Sequence, residues 1–158
     1  MEPHGFTVFC DDVREELHGK TSLIGCYGND LQFVGKYPLI LPKLAFQIFA
    51  RFPVDRPTPE LALCVFFPGD SDDKPTIEGP LPPIPPEMQD AKPPTNPPKK
   101  ITDFEPSHLL RFHFGISPAR INSDGYIKVR LKYGTEIIRL GTLQIVCLGE
   151  SAAAPARP

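Results

Sequence analysis

Short runs in which apolar and polar residues alternate dominate the chain, and each is closed by Gly, Pro, Asn or Asp. A period of two sends successive side chains to opposite faces of an extended chain, so these runs predict half-buried β-strands. The first covers residues 6–10, the second 21–27 and a short third 30–34. Gly25, inside the second, predicts a bulge or a close backbone approach. Residues 11–20 are polar and charged, with room for at most a turn or two of helix before His18-Gly19-Lys20 ends it. Pro38 and Pro42 bracket Leu39-Ile40-Leu41, and because proline cannot donate to a ladder this piece is a loop or an edge strand.

The chain then re-enters the core. Leu44, Phe46, Ile48, Ala50 and Phe52 fall on one face of a strand, with Ala45, Gln47, Phe49 and Arg51 on the other. Residues 60–67 are almost continuously apolar, the pattern of a strand covered on both faces, in a core or at an interface. Further on, Leu110, Phe112, Phe114 and Ile116 alternate with Arg111 and His113. Ile127, Val129, Leu131 and Tyr133 alternate with Lys128, Arg130 and Lys132. Asn122-Ser123-Asp124-Gly125 and Tyr133-Gly134-Thr135 supply turn chemistry, and residues 136–148 complete the sheet with an interruption at Gly141. No amphipathic helix pattern accompanies these strands. The expectation is an all-β fold: one domain over residues 1–150, a single antiparallel β-sandwich of Ig-like or C2-like kind with seven to nine strands. A closed barrel is the second choice.

Composition changes this picture in one place. The chain has 21 prolines in 158 residues, against an average usage of about 5%. Ten of the twenty-four residues 75–98 are proline, which predicts an extended loop or arm within residues 68–107 that joins neither sheet nor helix. Ile77, Leu81, Ile84 and Met88 are the side chains by which such an arm would dock as a strap, protecting a sheet edge or exchanging between subunits. Pro94 and Pro97 followed by Lys99 also have the spacing of ligands for proline-binding grooves. Residues 151–158, small residues with Arg and Pro, read as a disordered tail.

A net charge of −2 removes the whole-protein electrostatic case for nucleic-acid binding. No apolar run approaches the ~18–20 residues of a membrane span. The first residues lack a basic stretch leading into an apolar one, so a cytoplasmic location is expected. Cys10, Cys26, Cys64 and Cys147 stand singly inside apolar runs, without metal-ligand or CxxC spacing, and are expected to be four reduced, buried thiols.

Phe9-Cys10-Asp11-Asp12-Val13-Arg14-Glu15-Glu16, then Gly19-Lys20, then Ser22-Leu23-Ile24-Gly25-Cys26-Tyr27 resembles the opening of a family of small bacterial and phage-associated β proteins of unknown function. That family carries an Asp-Asp-(Ile/Val)-Arg segment ending in Gly-Lys, followed by a Leu-Ile-Gly strand with Tyr two residues on. The likeness covers residues 6–34, extends more loosely through 42–52 and returns at 140–145; the proline insertion is not part of it. It implies a sandwich-like fold and a bacterial origin, and no catalytic residue.

Two candidate chemistries remain. Asp11 and Asp12 in one loop, with Asp70, Asp72 and Asp73 in another, are the hard oxygen ligands calcium takes, although the EF-hand spacing is absent. Arg111, His113, Lys128, Arg130 and Lys132 would form a basic stripe if their two strands pair. Four His without a nucleophile elbow give no catalytic set, and no cofactor is implied. The expected function is a non-enzymatic protein-interaction or self-assembly module, its interface at residues 60–67 or the proline arm and its partner another protein or a second copy. The alternative is a calcium- or ligand-dependent recognition domain built on the acidic loops.

Overall fold

A computed structural model describes residues 1–54, 59–82 and 107–149. These form twelve strands: β1 (His4–Cys10), β2 (Asp12–Glu15), β3 (Thr21–Ile24), β4 (Asp30–Phe33), β5 (Leu39–Leu41), β6 (Leu44–Pro53), β7 (Leu61–Phe66), β8 (Ile77–Pro80), β9 (Ser107–Ile116), β10 (Ala119–Ile121), β11 (Gly125–Tyr133) and β12 (Glu136–Cys147). A 3-10 turn, Leu17–Gly19, joins β2 to β3. No helix among the described residues is long and apolar enough to cross a membrane.

The fold is all-β. β1-β6-β9 form a three-stranded sheet and β4-β12-β11-β7-β8 a five-stranded one, with two small ribbons, β10-β5 and β2-β3. Among the described strands every pairing is antiparallel except β4 with β12, which run parallel. The two larger sheets contribute to one core. From the first come Phe9, Leu44, Phe46, Ile48, Ala50 and Phe52; from the second Leu63, Val65, Ile127, Leu131, Leu143 and Ile145. Aromatic rings make the joints: Phe46 stacks on Phe114 at 4.6 Å and meets Phe9 edge-on at 5.5 Å, while Phe52 stacks on Tyr133 of the facing sheet at 5.2 Å.

One side of this arrangement is closed by close backbone approach. A Cβ on Gly5 of β1 would lie 2.3 Å from the Phe49 carbonyl and 2.7 Å from a Leu140 methyl of β12, so only glycine lets β1 come so near both neighbours. Leu140 is the extra residue of a bulge, since the register against β11 slips between Val129 and Arg130. The expected interruption near Gly141 is therefore a bulge that turns Leu140 inward, where it is 2% exposed.

Several expectations need correction. Twelve strands replace seven to nine, the extra ones being short pieces such as β2, β5 and β10. Residues 11–20 make a hairpin arm and a 3-10 turn, with Val13 buried against Leu23. The proline-rich stretch does enter a sheet at its start: β8 lies beside β7 with Pro80 at its end, on a sheet edge, where the missing donor is tolerated. The strands holding Arg111 and Lys128 do not pair. Among the described strands β9 pairs with β6 alone, the chain then crosses through β10, and β11 inserts between β7 and β12. Crossing lets Phe112 and Phe114 face the same core as Ile127 and Val129 from different sheets, which a hairpin on one sheet cannot do. Ile84, Met88 and the tail 151–158 lie outside the described residues.

Replacing Phe46 with Ala removes a fully buried ring stacked on Phe114. The expected loss is about 3–5 kcal/mol of stability, read as a lower urea midpoint with an unchanged slope.

Candidate functional site

The register of β1 and β9 against β6 lays out the outer face of the three-stranded sheet row by row. Directly opposed residues in an antiparallel pair share a face. The rows are His4, Arg51 and Leu109; then Phe6, Phe49 and Arg111; then Val8, Gln47 and His113; then Cys10, Ala45 and Gly115. The last row is covered: the β2–β3 hairpin folds over it, and Val13 and Leu23 pack on Cys10 and Ala45. Asp12 anchors that hairpin by accepting from Lys43, with Arg14 as its second partner at 3.3 Å. Those hydrogen bonds, Lys43's first, hold the Asp12 carboxyl below its ordinary range.

At the other end the face is open among the described residues. Phe6 is 55% and Leu109 51% exposed, and Phe6 stacks on Phe49 at 4.8 Å. Between covered and open halves lies a cleft of about 280 Å³ lined by Glu15, Thr21, Gln47, Arg111, Phe112 and His113. Gln47 is 2% exposed and donates from Nε2 to the Phe112 carbonyl at 3.0 Å. The Arg111 guanidinium reaches the Gly19 carbonyl in the hairpin turn at 2.8 Å, which leaves other donors of its five for a visitor. Cleft and patch together offer an aromatic pair, an arginine, a histidine and a buried amide, the chemistry of a recognition surface.

The acidic candidates take separate tasks. Asp11 accepts from the Tyr27 hydroxyl; burial and then that bond push the tyrosine's titration upward. Asp70 closes the loop after β7. Burial opposes its charge, yet the Phe67 amide, the Thr76 hydroxyl and the Thr76 amide, each at 2.8 Å, hold its carboxyl below the usual range. Asp72 pairs with Arg130 at 2.6 Å and Lys128 at 3.2 Å, which lower its titration. Asp73 is lowered by a hydrogen bond to Ser71. Among the described residues no group of three or more His, Cys, Asp or Glu stands together as a metal site.

The basic stripe is likewise divided. Arg111 and His113 belong to the cleft, whereas Lys128, Arg130 and Lys132 line β11 in the other sheet and meet acid there. Lys132 pairs with Glu78 of β8, and Arg130 lies 4.6 Å over the Phe66 ring. These contacts cover much of the second face of β7, so Leu61–Phe66 within the 60–67 run form a largely buried strand and not an exposed interface. Ile77 and Leu81 pack at the core's edge, and the Leu81 amide donates to the Leu61 carbonyl at 2.8 Å. The four thiols are free, but only Cys10 and Cys64 are buried; Cys26 is exposed and Cys147 half-buried.

Pattern reading missed Phe6, Phe49, Gln47, Glu15 and Thr21. Its signal was present: Phe49 is a large aromatic on the more polar face of β6. No family model, curated protein or solved structure matches the chain.

Asp70→Ala deletes three accepted hydrogen bonds and is expected to cost about 2 kcal/mol at neutral pH. Because the folded carboxyl titrates below its unfolded value, that stabilisation is complete above the unfolded pKa and fades as pH falls through the folded one. Urea midpoints of wild type and variant should therefore converge in acid.

Proposed function

We propose that this chain is a non-enzymatic β-sandwich that works as a protein-interaction module, using the outer face of its three-stranded sheet. One observation carries the reading: Phe6, stacked on the half-buried Phe49, and Leu109 stand open to solvent beside Arg111, on a face whose other end the chain covers with its own hairpin. Exposed aromatics next to arginine are what protein interfaces concentrate at their centres. The sandwich assignment rests on two sheets that share one core and present opposite faces to solvent. The earlier choice of residues 60–67 as interface gives way, because both faces of β7 are already occupied. Calcium recognition loses its support for a similar reason, since Asp12, Asp70 and Asp72 already have partners.

A photoreactive phenylalanine analogue tests the surface in the cell that encodes the protein. Placed at position 6, it should give a covalent adduct with a protein, at the mass of a dimer or of a complex. The adduct should weaken at least tenfold when Arg111 is changed to Glu. The same analogue at Tyr126, exposed on the other sheet, should give none. Equal adducts from both positions, or none from position 6, would overturn the reading.

A further inference from the structure

Cys10 ends β1, and Cys26 follows the bend after β3. Backbone hydrogen bonds bracket them: the Asp11 amide is shared between the Ile24 carbonyl at 2.9 Å and the Gly25 carbonyl at 3.2 Å, and the Tyr27 amide donates to the Phe9 carbonyl at 2.8 Å. The Asp11–Gly25 and Tyr27–Phe9 bonds are those that flank a non-hydrogen-bonded antiparallel pair, and the second acceptor, Ile24, marks a bulge at Gly25 beside it. In such a pair the Cα atoms approach to about 4.5 Å and the side chains leave on the same face. A disulfide spans Cα atoms about 4.4–6.8 Å apart.

The local packing tightens this pair. A Cβ on Gly25 would lie 2.0 Å from an Asp11 carboxylate oxygen, so glycine at φ +64° is what lets Asp11 fold across the strand and reach the Tyr27 hydroxyl. The Cys10 thiol is fully buried under the hairpin and directed at the Ala45 carbonyl, 3.8 Å away. Burial first, and then the neighbouring Cys26, push its titration up to about 11. Cys26 itself is open to solvent. One thiol is thus accessible to a soluble oxidant, and its cross-strand neighbour is shielded from one.

We propose that Cys10 and Cys26 form a reversible intrachain disulfide on exposure to a peroxide, with Cys26 as the thiol that reacts with the peroxide and Cys10 as the resolving one. The Cys26 thiolate attacks a peroxide oxygen, the O–O bond breaks, and a sulfenic acid and hydroxide result. The Cys10 sulfur then attacks the Cys26 sulfur, the S–O bond breaks, and the departing hydroxide takes the Cys10 proton as water. In sum two thiols and one hydrogen peroxide give one disulfide and two waters, the sulfurs losing two electrons and the peroxide oxygens gaining them. The bond would staple β1 to the strand that leaves the β2–β3 hairpin and so fix the cover over Cys10 and Ala45.

The test treats the folded, full-length protein with hydrogen peroxide, alkylates all remaining thiols after denaturation, and maps tryptic peptides by mass. Cleavage after Arg14, Lys20 and Lys36 puts the two cysteines in separate peptides, 1–14 and 21–36. Expected is a linked peptide two hydrogens lighter than its parts, from monomeric protein, with Cys64 and Cys147 still alkylated. The oxidised protein should melt several degrees above the reduced one, and Cys26→Ser, a change at an exposed position, should abolish both link and shift. Overturning results are Cys26 oxidised beyond the sulfenic acid while Cys10 alkylates in full, a link through Cys26 between two chains, or all four thiols left unchanged.

Discussion

Over its first half β6 is buried on both faces, and the rest of the molecule is arranged to supply the two covers this demands. Leu44, Phe46 and Ile48 face the shared core, while Ala45 and Gln47 point the other way and are just as buried. A strand covered on one side only would leave Cys10, Ala45 and Val13 in water, at roughly 25 cal/mol per Å² of apolar surface. The β2–β3 hairpin removes that cost by folding over the sheet, and Asp12 with Lys43 and Arg111 with Gly19 hold it there. The hairpin is short, so it covers half of the face. Phe6 and Leu109 stay exposed and Phe49 half-buried because the hairpin turns back at Leu17–Gly19.

The same two-sided problem arises at β7 and is solved with different chemistry. Cys64 and Phe66 point away from the shared core yet are 2% and 3% exposed. Their cover is the aliphatic length and charged heads of Arg130 and Lys132 from β11, held down by Asp72 and Glu78. Surface ion pairs of this kind contribute only about 0–1 kcal/mol each, so their effect is chiefly to position the stems that shield apolar surface. One sheet therefore satisfies its outer face with ion pairs while the other uses a hairpin that ends early. That difference leaves Phe6 and Leu109 open on the three-stranded sheet, while the five-stranded sheet exposes Tyr126 and Ile137 at opposite ends of the β11–β12 pair.

Much of this was legible in the residues. Period-two alternation located β1, β6, β9, β11 and β12 and assigned the inward residues of β6 and β11 correctly, because the inward face of each packs on the one shared core. Gly25 and Gly141 marked real irregularities. Less legible was anything set by which strand sits beside which. Arg111 and Lys128 look alike in sequence, each outward on an alternating strand, but the crossover through β10 sends them to different sheets. Phe6 and Phe49 become a pair only through the β1–β6 register, which places residues 43 apart side by side. The acidic residues read as metal ligands because carboxylates near turns suit calcium, whereas folding gave Asp70 amides and a hydroxyl of its own loop and Asp72 a cation from β11.

The division of one sheet face into a covered and an open half is tested most directly by residue-resolved hydroxyl-radical footprinting of the full-length protein. Expected is strong oxidation of Phe6 and Leu109, with Val13 spared as fully as Phe46 and Phe52 of the core. Protection of Phe6 and Leu109 in the isolated monomer, or oxidation of Val13 at the rate of an exposed residue, would contradict it.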